Sequence, residues 1–288
     1  MKLAAHGLLA ILILLSAQPA YSHNVETLDW FGRKIIIAKV PKRVVSLSKN
    51  TTEMLILVGA EKLIVGISED SPAPKSSSPA RIVQKEGAFN SQAIRALSPD
   101  IIIASRKSPG LNLGEDLMAK TYFVNPRTLN EVMRAVVEVG RITALEKEAT
   151  AAAMALNEQM EHIEKRISGA KKKSAVIITD EEDLVCAGDK SIEGDILMRA
   201  GGRNVLKGTE YGSLSVEDIS SMKPEVIIFT GGPGFDRELL LTKLRGKNAA
   251  WSPAVISINP ERLSRPGLKL VEGFEEMARA LHPEAFRK

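Results

Sequence analysis

The pattern of apolar and polar positions in this chain is written twice. Residues 90–105 read NSQAIRALSPDIIIAS and residues 215–230 read SVEDISSMKPEVIIFT. Each has a polar start, a short amphipathic stretch, a proline, an acid and an apolar run, so each predicts a helix followed by a strand. A second pair precedes the first: residues 53–66 (EMLILVGAEKLIVG) and 195–208 (DILMRAGGRNVLKG). Two blocks recurring in the same order predict two similar α/β lobes. Two lobes leave a cleft between them, and clefts are where small ligands bind.

The rest of the pattern fills in the elements. Residues 25–39 alternate around Asp29-Trp30-Phe31-Gly32, which predicts a hairpin with those residues at its tip. Apolar runs predict strands at 43–48, 63–67, 101–104 and 122–124, and again at 174–179, 226–230 and 255–258. The polar stretch 48–53 is rich in helix-starting residues, 54–58 is a helix body, and Gly59 is its stop. Proline and serine crowd into a loop at 71–79, helices are predicted at 128–142 and 145–167, and a helix at 274–281 closes the chain. Strands alternating with helices predict parallel βαβ units. In 145–167 the apolar residues Leu145, Ala149, Ala152, Ala153, Leu156, Met160, Ile163 and Ile167 repeat at three and four residues with no glycine or proline. Such a helix is about 34 Å long. It lies between the repeated halves and acts as a stiff connector, which disfavours large hinge motion. The expected class is therefore α/β: two similar lobes joined by one long rigid helix, with the ligand cleft between them. The expected divisions are 1–22, 23–144 (first lobe), 145–168 (connector) and 169–288 (second lobe).

Composition narrows this picture. Met1-Lys2, the apolar run 8–15 and the small polar stretch ending in Ala20-Tyr21-Ser22 read as a secretory signal peptide, with a mature chain starting near His23 in the periplasm. The run is shorter than the roughly 20 residues that span a bilayer, so no membrane span is expected in the mature form. No cysteine follows it to carry a lipid. Cys186 is the only cysteine, so no internal disulfide forms, and its apolar setting at 184–187 predicts a buried thiol. The formal charge of +4 is well mixed along the chain, and the basic run 171–173 leads into a strand. Nothing in that distribution predicts a nucleic-acid surface.

Ligands of parallel α/β sheets sit beyond the carboxyl ends of the strands. That rule selects Ser48, Lys49 and Asn50, then Glu69 and Asp70, then Arg106 and Lys107 in the first half. In the second half it selects residues 180–183, Gly231, Gly232, Arg262 and Arg265. Aromatic residues make up only 4% of the chain, and Phe89 and Tyr211 lie beside turns near this set. The cations favour an anionic ligand, because arginine forks match carboxylates; the acids at 180–183 oppose that. His23 and His282 lie near the ends and His162 lies inside the connector. None follows a strand, which argues against a Ser–His–Asp triad and a bare transition-metal site. Gly231-Gly232-Pro233-Gly234 lacks the Lys-Ser/Thr ending of a phosphate loop.

The ordered set 41–48 (PKRVVSLS), Thr51-Thr52-Glu53, Gly59-Ala60, Val65-Gly66, Asn90 with 97–100 (LSPD), Gly188 with Ala200-Gly201-Gly202, and 230–233 (TGGP) covers nearly all of the chain after the leader. It resembles the periplasmic solute-binding proteins of ABC importers for iron–siderophore complexes, haem and cobalamin, with 230–233 most similar to the cobalamin-binding member. The resemblance implies two lobes on one long helix, little closure, no chemistry on the ligand, and no cofactor apart from the metal chelate carried. It also implies a monomer whose partner is the importer permease. Family members dock through an acid in each lobe; this chain has Gln92 and Glu217 at the matching positions. A cleft aromatic is expected only at Tyr211. An exported hydrolase on a two-lobed fold is the second reading, and turnover of a bound ligand separates the two.

Overall fold

The computed structural model describes residues 24–75, 79–105, 111–180, 182–231, 236–245, 251–264 and 268–287; the leader at 1–22 lies outside them. The chain enters through a hairpin of β1 (Val25–Leu28) and β2 (Lys34–Ile37), paired antiparallel with Val25 opposite Ile37. Its period of two buries Val25, Ile35 and Ile37 and turns Leu28 and Ile36 outward. There follow β3 (Val44–Ser46), α1 (Lys49–Leu57), β4 (Ile64–Ile67), β5 (Arg81–Ile82), β6 (Gln84–Lys85), β7 (Ala88–Phe89), α2 (Ser91–Ala96), β8 (Ile101–Ser105), α3 (Glu115–Met118), β9 (Thr121–Val124) and α4 (Leu129–Ile142). The first sheet has the order β5-β4-β3-β8-β9 and is parallel throughout. Side chains of Ser48, Asn90 and Thr128 accept the N–H groups of Thr51, Ala93 and Glu131, which starts α1, α2 and α4 at capping residues. The pairs β5, β6 and β7 have no counterpart among the predicted elements, because two residues show no period.

After α5 (Glu146–Ile167) come β10 (Lys173–Asp180), β11 (Val185–Ala187), α6 (Ile192–Arg199), β12 (Gly202–Asn204), β13 (Tyr211–Ser213), α7 (Val216–Met222), β14 (Val226–Phe229), α8 (Arg237–Arg245), β15 (Ala254–Ser257), α9 (Pro260–Ser264) and α10 (Leu268–Leu281). The second sheet runs β13-β11-β10-β14-β15, with β12 also on β10. Strands β12, β10, β14 and β15 are parallel and repeat β4, β3, β8 and β9. In contrast to the purely parallel expectation, β11 and β13 add an antiparallel edge. Tyr211 therefore opens a strand. The last helix begins six residues before its predicted start. Cys186 is buried in β11, and burial pushes its thiol up to about 12.

The repeat has a physical content. Ser98 and Lys223, equivalent in the two blocks, both adopt φ of 45° and end their helices. A proline and an acid follow each. Asp100 accepts the N–H groups of Lys42 and Arg43 at 2.7 and 2.9 Å, just before β3. Glu225 accepts from the N–H and hydroxyl of Ser174 at 2.8 and 3.0 Å, at the start of β10. Each acid thus ties the start of its own strand to the strand beside it. The long connector serves both lobes: Ala149 and Ala153 belong to the first core, and Leu156, Met160, Ile163 and Ile167 to the second.

Gly59 and Gly201 close the equivalent helices α1 and α6 at φ of 82° and 81°. An added Cβ meets nothing at Gly59, but at Gly201 it would lie 2.4 Å from Nε2 of His282, a fully buried ring. Gly59→Ala should therefore lower stability by about 1–2 kcal/mol, the strain of a left-handed L-residue. Gly201→Ala should lower it by at least about 1 kcal/mol more through overpacking. Urea unfolding with an unchanged slope tests this; equal losses would contradict it.

Candidate functional site

The carboxyl ends of β8 and β9 and the first turn of α1 face α6 and β13 across the interlobe space. A cavity of about 120 Å³ lies there. The first lobe contributes Asn50, Met54, Ser105, Asn125, Pro126 and Val132, and the second Ile192, Glu193, Glu210 and Tyr211. That volume accepts a substituent or an edge of a ligand, since whole small-molecule sites are roughly 300–1,000 Å³. Arg106, Lys107, Gly232 and Arg265 of the predicted set lie outside the described residues.

Of the predicted residues that are described, Asn50 and Tyr211 line the cavity. Tyr211 is half-buried, and its hydroxyl donates to the Glu193 carboxylate, 3.0 and 3.2 Å from the two oxygens. Burial, then the charge of Glu193, raises the phenol pKa, so the group stays a neutral phenol. Glu193 stands in the first turn of α6, behind the capping residue Ser191. A helix N-terminus stabilises a carboxylate there. Asn50 stands at the same place in α1, behind Ser48. The two repeat-related helices therefore aim equivalent first turns at one cavity from opposite lobes.

The other predicted residues are engaged elsewhere. Lys49 bridges the lobes to Glu261, Nζ to Oε1 at 2.5 Å. Arg262 turns to α10, with Nη1 2.7 Å from Glu276 Oε2 and Nε 3.9 Å from Glu272, and does not line the cavity. Of the cations assigned from sequence to an anionic ligand, the two among the described residues, Lys49 and Arg262, are thus matched by carboxylates of the protein. Ser48 serves as the α1 cap beside a buried hydroxyl cluster that includes Ser46 and Thr51. Glu69 accepts the N–H groups of Glu86 and Gly87 and so holds the β6–β7 turn, while Asp70 accepts from Ser68. Phe89 packs on the second face of the first sheet. Gly231 is required by close approach: a Cβ there would lie 2.1 Å from the Phe229 ring. Gln92 and Glu217 are exposed in the first turns of α2 and α7.

Glu193, Glu210 and Asn125 are absent from the set read at strand ends. Asn125 directly follows β9, so the same rule selects it. Glu193 is second after the α6 cap, as Asn50 is second after the α1 cap, although the repeat as aligned at 53–66 and 195–208 sets it against Thr51. Two further ties cross the cleft: Arg127 to Glu210 at 3.7 Å, and the N–H of Leu129 to Asp195 at 2.8 Å. Burial raises the pKa of Asp195. Among the described residues no three His, Cys, Asp or Glu side chains cluster as metal ligands, and no helix is long and apolar enough to cross a membrane.

This geometry agrees with what the chain is similar to. The family model described as "Periplasmic binding protein" matches residues 44–252. An uncharacterized ABC transporter substrate-binding lipoprotein of Bacillus subtilis is 24% identical over 280 residues, covering 90% of this chain and 86% of the relative. A vitamin B12-binding protein of Photorhabdus laumondii is 22% identical over 251 residues, covering 84% of this chain and 88% of the relative. The crystal structure of a possible iron-binding (periplasmic solute-binding) protein from Staphylococcus epidermidis shares the fold, with a TM-score of 0.71 at 21% identity over 85% of this chain and all of that one. The hydrolase alternative is thereby overturned: these relatives are substrate-binding proteins and not enzymes. With well over half of its length matched, the chain belongs to the periplasmic binding protein family, whose members bind solutes.

Proposed function

We propose that this protein captures a metal chelate, namely a ferric siderophore, haem or corrinoid, in the interlobe cleft and delivers it to the permease of an ABC importer. The observation that carries the reading is the convergence of both lobes on one cavity, with the half-buried Tyr211 ring in its wall. A neutral phenol and scattered carboxylates suit a metal already enclosed by its own chelator, and the rigid connector suits a cleft that closes little. The names of the B12-binding and iron-binding relatives support the ligand class. The ABC transporter lipoprotein supports the partner and an extracytoplasmic location. In this reading the leader is removed near His23 and the mature protein acts as a monomer in the periplasm.

Native mass spectrometry and an absorption spectrum of protein purified from its own host should reveal a bound chelate. Tryptophan fluorescence should report micromolar or tighter binding of at least one of the three classes. Tyr211→Ala should weaken that binding roughly tenfold through lost ring contact. No affinity for any class would sink the ligand reading.

Docking is tested separately. Glu217 is exposed in the first turn of α7, where it can meet a permease arginine. Its counterpart Gln92 offers only a neutral amide. Glu217→Arg should abolish uptake in a reconstituted importer without changing ligand affinity, and Gln92→Ala should have a smaller effect. Normal transport by Glu217→Arg would remove the docking role.

A further inference from the structure

We infer that Glu193 is a specificity-determining residue that makes the cleft prefer neutral or cationic chelates bearing N–H donors over anionic ones. This rests on the ligand-capture reading above. From sequence, the cations Lys49 and Arg262 among others favour an anionic ligand and the acids at 180–183 oppose it. Those two cations face Glu261 and Glu276 rather than the cavity.

The charged groups that line the described cavity are both acids. Glu210 has Arg127 at 3.7 Å as a loose counterion. Glu193 has no Lys or Arg partner among the described residues; its hydrogen-bond partner is the hydroxyl of Tyr211. A carboxylate has about four lone-pair positions and a phenol supplies one hydrogen. Glu193 therefore keeps open acceptor sites while lining the cavity. It also offsets the positive end of α6, which would otherwise favour an anion. Across the cavity Asn50 and Asn125 are neutral amides that can donate or accept. A carboxylate or catecholate edge entering here would meet acceptors and a like charge. An amide or ammonium edge would meet an unsatisfied acceptor. Discrimination by unpaired or repelling groups is how sites reject close analogues.

Two matched pairs of probes test the idea on the full mature protein. One is dicyanocobinamide, with amide side chains, against dicyanocobyrinic acid, with carboxylates on the same ring. The other is ferrioxamine B, a cationic ferric chelate, against ferric enterobactin, an anionic one. Wild-type protein should bind the amide-bearing or cationic member at least roughly tenfold more tightly. Glu193→Gln is close to isosteric and should bring the two members of a pair to within about threefold, mainly by tightening the anionic one. Tyr211→Phe removes the donor and should leave the preference in place. Equal or tighter wild-type binding of the anionic member overturns the inference, even if Glu193→Gln does not fold. So does an unchanged ratio in a folded Glu193→Gln. Binding of no probe in either pair overturns the ligand-capture reading itself, and the inference with it.

Discussion

One apolar stripe on α5 is shared between two cores, and the remaining geometry follows from it. Ala149 and Ala153 pack with the first lobe; Leu156, Met160, Ile163 and Ile167 continue the same stripe into the second. The spacing of three and four residues never breaks, so one straight helix presents one face to both lobes. At its start the helix lies tight against α4, where a Cβ on Gly140 would come 2.2 Å from that of Ala149. Turning one lobe about the other would draw side chains of that stripe out of a core, and each such side chain is worth roughly 1.5–3 kcal/mol when fully buried. The angle between the lobes is thus set by packing rather than by a flexible linker.

The polar contacts across the cleft work within that constraint. Asp195 of α6 accepts the first N–H of α4 from the other lobe, and a backbone donor contributes no side-chain entropy to be lost. The Lys49–Glu261 pair joins the first turns of α1 and α9, with both side chains partly exposed. Pairs of that kind contribute about 0–1 kcal/mol. They bias the cleft without locking it. In the proposed reading, a cleft that closes little selects by the side chains already in its walls, among them Tyr211, Glu193 and the facing asparagines.

Much of the fold was legible because it is local. The helix starts at Ser48, Asn90 and Ser215, the stop Gly59, and the proline–acid junctions sit within a few residues of the elements they define. The two-residue strands β5, β6 and β7 escaped, since a period cannot be read in two positions. So did β11 and β13, which exist because they pair with β10 and with each other. Ion-pair partners escaped for a similar reason: 212 residues separate Lys49 from Glu261, and a strand-end rule sees the cation without its carboxylate. The rule therefore found Lys49 and Arg262 without the carboxylates that face them.

The repeat itself shows what differs between the lobes. Where residues hold the fold, the two lobes match in charge: Asp100 and Glu225 are both acids, each holding a neighbouring strand. Two pairs of residues, each second after the cap of its helix, differ by one kind of change. Asn50 meets the cavity from α1 and Glu193 from α6. Gln92 stands exposed in the first turn of α2 and Glu217 in that of α7. In both pairs the first lobe has an amide and the second an acid. An amide and a carboxylate occupy nearly the same volume, so the exchange leaves packing and helix capping intact while altering charge and hydrogen-bond direction. At these two positions the second lobe thus presents a carboxylate, and the first lobe a neutral amide that can both donate and accept.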